Sequence, residues 1–284
     1  MDVNSVLRAA DLGLFQNSNP TPPVAPQSLE SATDSEEFLR IASAVNTQGA
    51  SVLTATAKDN ELLHVVWQGL DDLHLLKSDG STFAIKTEAR VTALASSEEA
   101  VLVGCANGEL YRLDVESLTM HCMYAQVRRE AITCIEFFDD SHACLFLCAS
   151  GTVYVCRDMV GQGRVRRLKR SLGKNVRLLL LHKITKEFVW IEGNSIFSGD
   201  LLSSQRHIDD CAESIARGVF SNDGSLLYLL SDQHMLYVYS WVGDCRRLFQ
   251  KQVDSRISDL FVSDSNAAYG VIAQDHTVMV KPLS

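Results

Sequence analysis

Apolar residues fall along this chain in short runs, each closed by a small cluster of Asn, Asp, Ser or Gly. Val101-Leu102-Val103-Gly104-Cys105 leads into Asn107-Gly108, and Leu110-Tyr111-Arg112-Leu113 follows. Two apolar runs flanking Asn-Gly predict a hairpin, whose two-residue turn needs positive φ at both central positions. The phrase returns. Cys144–Cys148 precedes Ser150-Gly151 and Thr152–Cys156, and Phe188–Ile191 precedes Gly193-Asn194 and Ser195–Phe197. Leu226–Leu230 precedes Leu236–Tyr239, Gly270–Ala273 precedes Val278–Val280, and an earlier copy joins Leu62–Trp67 to Leu73–Leu76.

The first strand residues after these turns are Leu73, Leu110, Val153, Ile196, Leu236 and Val278, at spacings of 37, 43, 43, 40 and 42. A period near 40 made of short strands is the signature of a β-propeller blade. Four-strand groups are predicted over 51–87, 91–126, 132–169, 176–210 and 216–251, and a sixth group of only three strands over 257–281. The predicted fold is therefore all-β: a six-bladed propeller of four-stranded antiparallel blades, occupying 38–284 as one domain because blades bury their faces only on neighbouring blades. The sixth group lacks an outer strand, and an open edge there would invite aggregation. The spare candidate is Phe38–Val45, which carries Phe38, Leu39, Ile41 and Val45. It is predicted to pair as the outermost strand of the last blade and close the ring. The other account of the missing strand is a strand or blade donated by a partner.

Residues 1–37 read as a flexible arm. Val3, Leu7, Ala10 and Leu14 recur at helical spacing over 1–16, which suits a short helix that docks on a partner or a frayed terminus. Asn17 to Glu37 holds Pro20, Pro22, Pro23 and Pro26 among Ser, Thr and acidic residues, a disordered linker by composition. No proline recurs until Pro282, as hydrogen-bonded sheets require.

Polar turns separate the first and second strands of each group. One of them, Phe220-Ser221-Asn222-Asp223-Gly224, resembles the F-S-x-D-G turn of WD-repeat propellers. The resemblance spans about 38–284 as a blade pattern and is degenerate. No blade ends in Trp-Asp and none has the Gly-His pair, which removes the buried His–Asp network that the family often uses.

Charge and chemistry narrow the function. The formal net charge is −9 and the pI about 5.4, which speaks against direct nucleic-acid binding. There is no apolar run of membrane-spanning length and no basic, apolar leader. The 8 cysteines lie at irregular spacings, mostly inside apolar runs, without a C-x-x-C pair; they predict a reducing compartment, cytoplasm or nucleus. Cys144 and Cys148 share one face of a strand, as core residues rather than zinc ligands. The 8 histidines form no ligand motif, and no nucleophile elbow, P-loop or dinucleotide loop is present, so no catalytic, cofactor or metal site is assigned. Asp71-Asp72, Asp139-Asp140 and Asp209-Asp210 fall at turns or strand ends and read as solvated. Trp67, Trp190 and Trp241 read as packing between blades, with Trp241 also a candidate surface anchor.

One segment departs from the acidic average. Arg164, Arg166, Arg167, Lys169, Arg170, Lys174 and Arg177 crowd together. They suit a charged edge strand that resists edge-to-edge pairing, or a docking patch for an acidic partner or for nucleic acid. An acidic protein leads, because no aromatics are interleaved as a stacking platform needs. The expected function is a non-catalytic protein-interaction scaffold, a propeller subunit of a larger complex such as a nuclear-pore or other coat-like assembly. Its candidate partner-binding residues are Arg164, Arg166, Arg167, Lys169 and Arg170 on the basic strand and Val3, Leu7 and Leu14 on the arm. The alternatives are a kinetochore, chromatin, RNA-processing or trafficking adaptor, and a propeller-fold hydrolase or metal-dependent enzyme acting at the central channel. No acidic and His cluster recurs at the channel-facing strand starts, which weighs against the enzyme.

Overall fold

The computed structural model describes residues 41–42, 53–58, 61–69, 72–125, 129–139, 143–159, 163–173, 175–200, 204–262, 266–274 and 277–283. The arm and linker, with Val3, Leu7 and Leu14, lie outside them. The described strands form six four-stranded antiparallel sheets. Blade 1 is β2 (Leu53–Lys58), β3 (Glu61–Gln68), β4 (Asp72–Lys77) and β5 (Thr82–Lys86). Blade 2 is β6 (Val91–Ser96), β7 (Ala100–Cys105), β8 (Leu110–Asp114) and β9 (Met120–Tyr124). Blade 3 is β10 (Ile132–Asp139), β11 (Ala143–Cys148), β12 (Thr152–Arg157) and β13 (Arg164–Ser171). Blade 4 is β14 (Val176–Leu181), β15 (Phe188–Glu192), β16 (Ser195–Gly199) and β17 (Arg206–Asp210). Blade 5 is β18 (Ile215–Phe220), β19 (Leu226–Ser231), β20 (Met235–Ser240) and β21 (Arg246–Gln252).

Blade 6 runs β22 (Ile257–Val262), β23 (Ala268–Gln274), β24 (Thr277–Pro282) and then β1 (Ile41–Ala42) on its outer edge. Ile41 opposes Val278 and Ala42 opposes Thr277. The predicted closure by the N-terminal strand is thus present, and its described part is these two residues. The innermost strands β2, β6, β10, β14, β18 and β22 neighbour one another in cyclic order, with β22 beside β2.

The core lies between blades, and the two-residue period of a strand puts it there. In β7, Val101, Val103 and Cys105 pack on blade 1 with Val66 and Leu75, while Leu102 packs on blade 3 with Phe146. In β11, Cys144, Phe146 and Cys148 face blade 2, and Leu145 and Leu147 face blade 4. Both faces of a second strand are therefore buried, so it reads as an unbroken apolar run rather than an alternating one. Trp67, Trp190 and Trp241 are all buried here. Trp241 meets Phe220 edge-on at 5.3 Å, so it is a core residue and not a surface anchor.

Two local features recur. In β6, β10, β14, β18 and β22 the ladder slips around the second residue, a β-bulge that adds twist at the ring centre. In three of these strands that residue is Thr92, Thr133 or Ser258. The Thr133 and Ser258 hydroxyls donate to a carbonyl of the next strand, Leu147 at 3.3 Å and Val271 at 3.1 Å, while Thr92 lies 3.2 Å from the Gly104 carbonyl and donates chiefly to Ile132 of the neighbouring blade at 2.6 Å. The turn at Asn107-Gly108 differs from the two-residue hairpin turn expected. Gly108 has φ of 83° and its N–H donates to the Cys105 carbonyl at 3.1 Å, while Asn107 keeps negative φ. The Asn107 side chain instead accepts from the Glu109 amide at 3.1 Å. A longer turn ending in one left-handed residue does the work, as it does at Gly151 and His234, whose amides donate to Cys148 and Ser231.

Candidate functional site

The turn that resembles the WD-repeat phrase is a joint between blades. Asp223 accepts from the Ser221 hydroxyl at 2.6 Å and from the Ser225 amide at 2.9 Å. Gly224 has φ of +67°, and a Cβ there would lie 2.3 Å from His182 Nε2. The Thr185 amide donates to His182 Nδ1 at 3.1 Å, so the ring proton sits on Nε2 and is given to the Gly224 carbonyl at 2.8 Å. A buried histidine therefore ties blade 4 to blade 5, even without a Gly-His pair in the sequence. A second joint joins the same blades on the outside. Asp209 accepts from Arg247 Nε at 2.9 Å, Arg247 Nη2 at 2.6 Å and the Tyr239 hydroxyl at 2.9 Å. Asp209 was expected to stay solvated at its strand end; its carboxylate instead anchors an interblade network whose partners lie far away in sequence.

The basic segment divides. β13 is the outermost strand of blade 3, paired with β12 through Arg167–Tyr154, Arg166–Val155 and Arg164–Arg157. Leu168 is buried and Val165 half-buried, while Arg164, Arg166 and Arg167 are exposed. None of these three guanidinium groups is tied into an ion pair among the described residues. Lys169 and Arg170 continue the same strand. Lys174 lies outside the described residues. Arg177 leaves the patch, because it sits on the innermost strand β14 and donates to Ser214 at 2.9 Å and Asp232 at 3.3 Å. Among the described residues, the result is three cations without an ion pair on an outermost, unpaired sheet edge of an acidic protein.

The six innermost strands enclose a central cavity of about 920 Å³. Counting from each strand start, the third residues of β6, β10, β14, β18 and β22 are Ala93, Cys134, Leu178, Arg217 and Asp259. The fifth residues are Ala95, Glu136, Leu180, Val219 and Phe261. Neighbouring blades thus place Arg217 beside Asp259, with Nε 3.5 Å from Oδ1. Burial pushes the Asp259 carboxyl up to about 6 even against the Arg217 charge. Burial pushes the Glu136 carboxyl up to about 7, against the opposing pull of the Lys183 ammonium. Channel acids were not expected at the strand starts. They occur instead at the middle of β10 and β22, where nothing in a single strand distinguishes a channel-facing residue from a solvent-facing one. The sequence signal was comparative: charges stand where the other blades have Ala, Leu, Val or Phe.

Among the described residues no group of three His, Cys, Asp or Glu side chains is placed to hold a metal ion. Cys144 and Cys148 form no disulfide and are buried in one cluster. No described helix is long and apolar enough to cross a membrane.

No protein-family model matches the sequence, and no curated protein sequence matches it. The fold is similar to that of a chain in the crystal structure of a mitotic checkpoint complex, at a TM-score of 0.63 and 13% identity, over 94% of this chain and 99% of that one. It is also similar to a streptogramin B lyase structure, at a TM-score of 0.62 and 12% identity, over 87% of each chain. Likeness at this identity shows the shared propeller architecture.

Proposed function

We propose that this protein is a non-catalytic interaction scaffold, a propeller subunit of a multiprotein complex, and that its basic outer strand docks an acidic protein partner. The observation that carries the reading is β13: among the described residues it is an outermost edge without a further strand, with three exposed arginines in no ion pair, on a chain of net charge −9. Free backbone N–H and C=O groups beside guanidinium groups suit an extended acidic segment, which gains ladder hydrogen bonds and charge pairing together. A chain of a mitotic checkpoint complex has the same architecture, which supports membership of an assembly. Nuclear-pore, coat-like, kinetochore, chromatin, RNA-processing and trafficking assemblies all fit this chemistry. Eight cysteines without a disulfide support a cytoplasmic or nuclear setting. The propeller domain is taken as 38–284, with 1–37 as an arm whose Val3, Leu7 and Leu14 face is a second docking element.

The rival reading is an enzyme acting at the channel, as a lyase with this architecture exists. The observation that favours it is the pair of channel carboxylates, Glu136 and Asp259. One experiment tests the scaffold reading. Affinity purification with mass spectrometry at graded salt compares the wild-type chain with Arg164→Glu, Arg166→Glu, Arg167→Glu combined. The scaffold reading predicts at least one acidic partner that is lost at high salt and lost in the charge-reversed chain. An unchanged partner set removes β13 as a docking site and leaves it a solubilising edge.

A further inference from the structure

We propose that the central channel is a binding site for an organic cation, one ammonium or guanidinium group seated against the Glu136 carboxylate.

Four observations carry it. First, the cavity of about 920 Å³ is large enough; ligand pockets run to about 300–1,000 Å³. Second, the channel's two inner carboxylates are treated unequally. Asp259 has Arg217 beside it, whereas Glu136 accepts no hydrogen bond and makes no ion pair among the described residues. A half-buried ionised carboxylate without a partner is costly, and a bound cation reduces that cost. Third, the remaining polar capacity on the wall is spent. The Thr56 hydroxyl donates to Ser96 at 2.6 Å, Thr54 bonds the same Ser96 hydroxyl at 3.0 Å, and Thr92 donates to the Ile132 carbonyl at 2.6 Å. Glu98 and Glu99 also line the cavity but lie exposed on the β6–β7 turn at its rim, so Glu136 is the carboxylate that meets a cation inside. Fourth, the residues at the matching height on the other blades are Ala95, Leu180, Val219 and Phe261, an apolar wall suited to the methylene stem behind a cationic head.

The cations already nearby do not fill the role. Arg217 is engaged by Asp259, and Lys183 is exposed on the turn at the channel mouth and forms no ion pair with Glu136. A metal ion is the wrong class of ligand, because a single carboxylate supplies too few donors and no group of three ligands exists among the described residues.

The test is calorimetric titration of the full chain at pH 8, where Glu136 is ionised. The two probes are agmatine and an acetylated, amidated Ala-Arg-Ala peptide. Glu136→Gln keeps the shape and removes the charge, and its thermal unfolding shows whether it is folded. Saturable binding of either probe to the wild type, at least ten-fold weaker in Glu136→Gln, is the expected result. Tighter binding of the peptide assigns the natural cation to a protein side chain; equal or tighter binding of agmatine assigns it to a small amine. Binding of neither probe at about 10 mM, weaker than ~3 kcal/mol of affinity, overturns the proposal. Equal binding to wild type and Glu136→Gln overturns it too. The scaffold reading rests on β13 and stands or falls separately, since reversal of Arg164, Arg166 and Arg167 is expected to leave this titration unchanged.

Discussion

Replacing Glu136 with Gln should stabilise the protein, and only above mildly acidic pH. The carboxyl titrates at about 7 in the folded protein against an ordinary value of 4.5, so the folded state holds its proton more tightly than the unfolded chain does. Below 4.5 both states are protonated and there is no penalty. As pH rises from 4.5 to about 7 the unfolded chain ionises first, and folding loses stability throughout that window. The full shift is worth about 3 kcal/mol at about 1.4 kcal/mol per pH unit. Water in the channel screens part of it, which leaves about 1–3 kcal/mol. Glutamine occupies nearly the same volume and stays neutral. Thermal unfolding of both chains by circular dichroism at pH 4.5, 6 and 8 makes the comparison. The two should melt together at pH 4.5 and separate progressively, with Glu136→Gln the more stable at pH 8. At about 2–4 °C per kcal/mol, the gap is measurable. A difference that does not change with pH, or a less stable Gln variant at pH 8, would refute the account of Glu136 as a half-buried, unpartnered acid.

Other outcomes follow from the joints and the arm. Gly224→Ala forces a side chain into the left-handed region and onto His182; it should cost ~2 kcal/mol or more, read as a lowered denaturation midpoint. The cost should shrink in a His182→Ala background, because the clash is shared. Arg247→Ala should destabilise by ~1–3 kcal/mol, since it strips Asp209 and Tyr239 of a partly buried partner. Deleting Met1 to Asn19 should leave the melting temperature unchanged while weakening capture of a partner that uses Val3, Leu7 and Leu14. An equal loss of stability would show that the arm packs on the propeller.

The blades were legible because short apolar runs, buried between neighbouring sheets and closed by polar turns, recur about every 40 residues. Val101, Val103 and Cys105 on one face and Leu102 on the other leave no freedom in register. Every predicted strand of the six groups is present, with ends within two residues. The spare strand was legible for a topological reason: a propeller's last blade needs an outer strand, and only one apolar segment was unassigned. What escaped were the contacts that join blades through single side chains. Asp209 and Arg247 sit on different blades, and Glu136 acquires its perturbed acidity from surroundings contributed by several innermost strands. A charged residue within one strand looks the same whether it points to bulk water, to a neighbouring blade or to the channel. The turn at Asn107 was misjudged because Asn-Gly also fits a longer turn in which only the glycine is left-handed and the asparagine side chain caps the next amide.

The channel exists only if the ring is closed, and the pairing of β1 with β24 ties the two ends of the ring together. The direct test is the melting temperature of two shortened chains, one beginning at Ser28 and one at Gly49. The first keeps Ile41 and Ala42; the second removes them. Their pairing joins the two ends of the propeller, more than 200 residues apart, and its loss exposes the outer edge of blade 6 and frees the closure of the whole ring. The account predicts that the Ser28 chain melts with the full-length protein, and that the Gly49 chain melts far lower or aggregates. Equal melting temperatures for the two would contradict it.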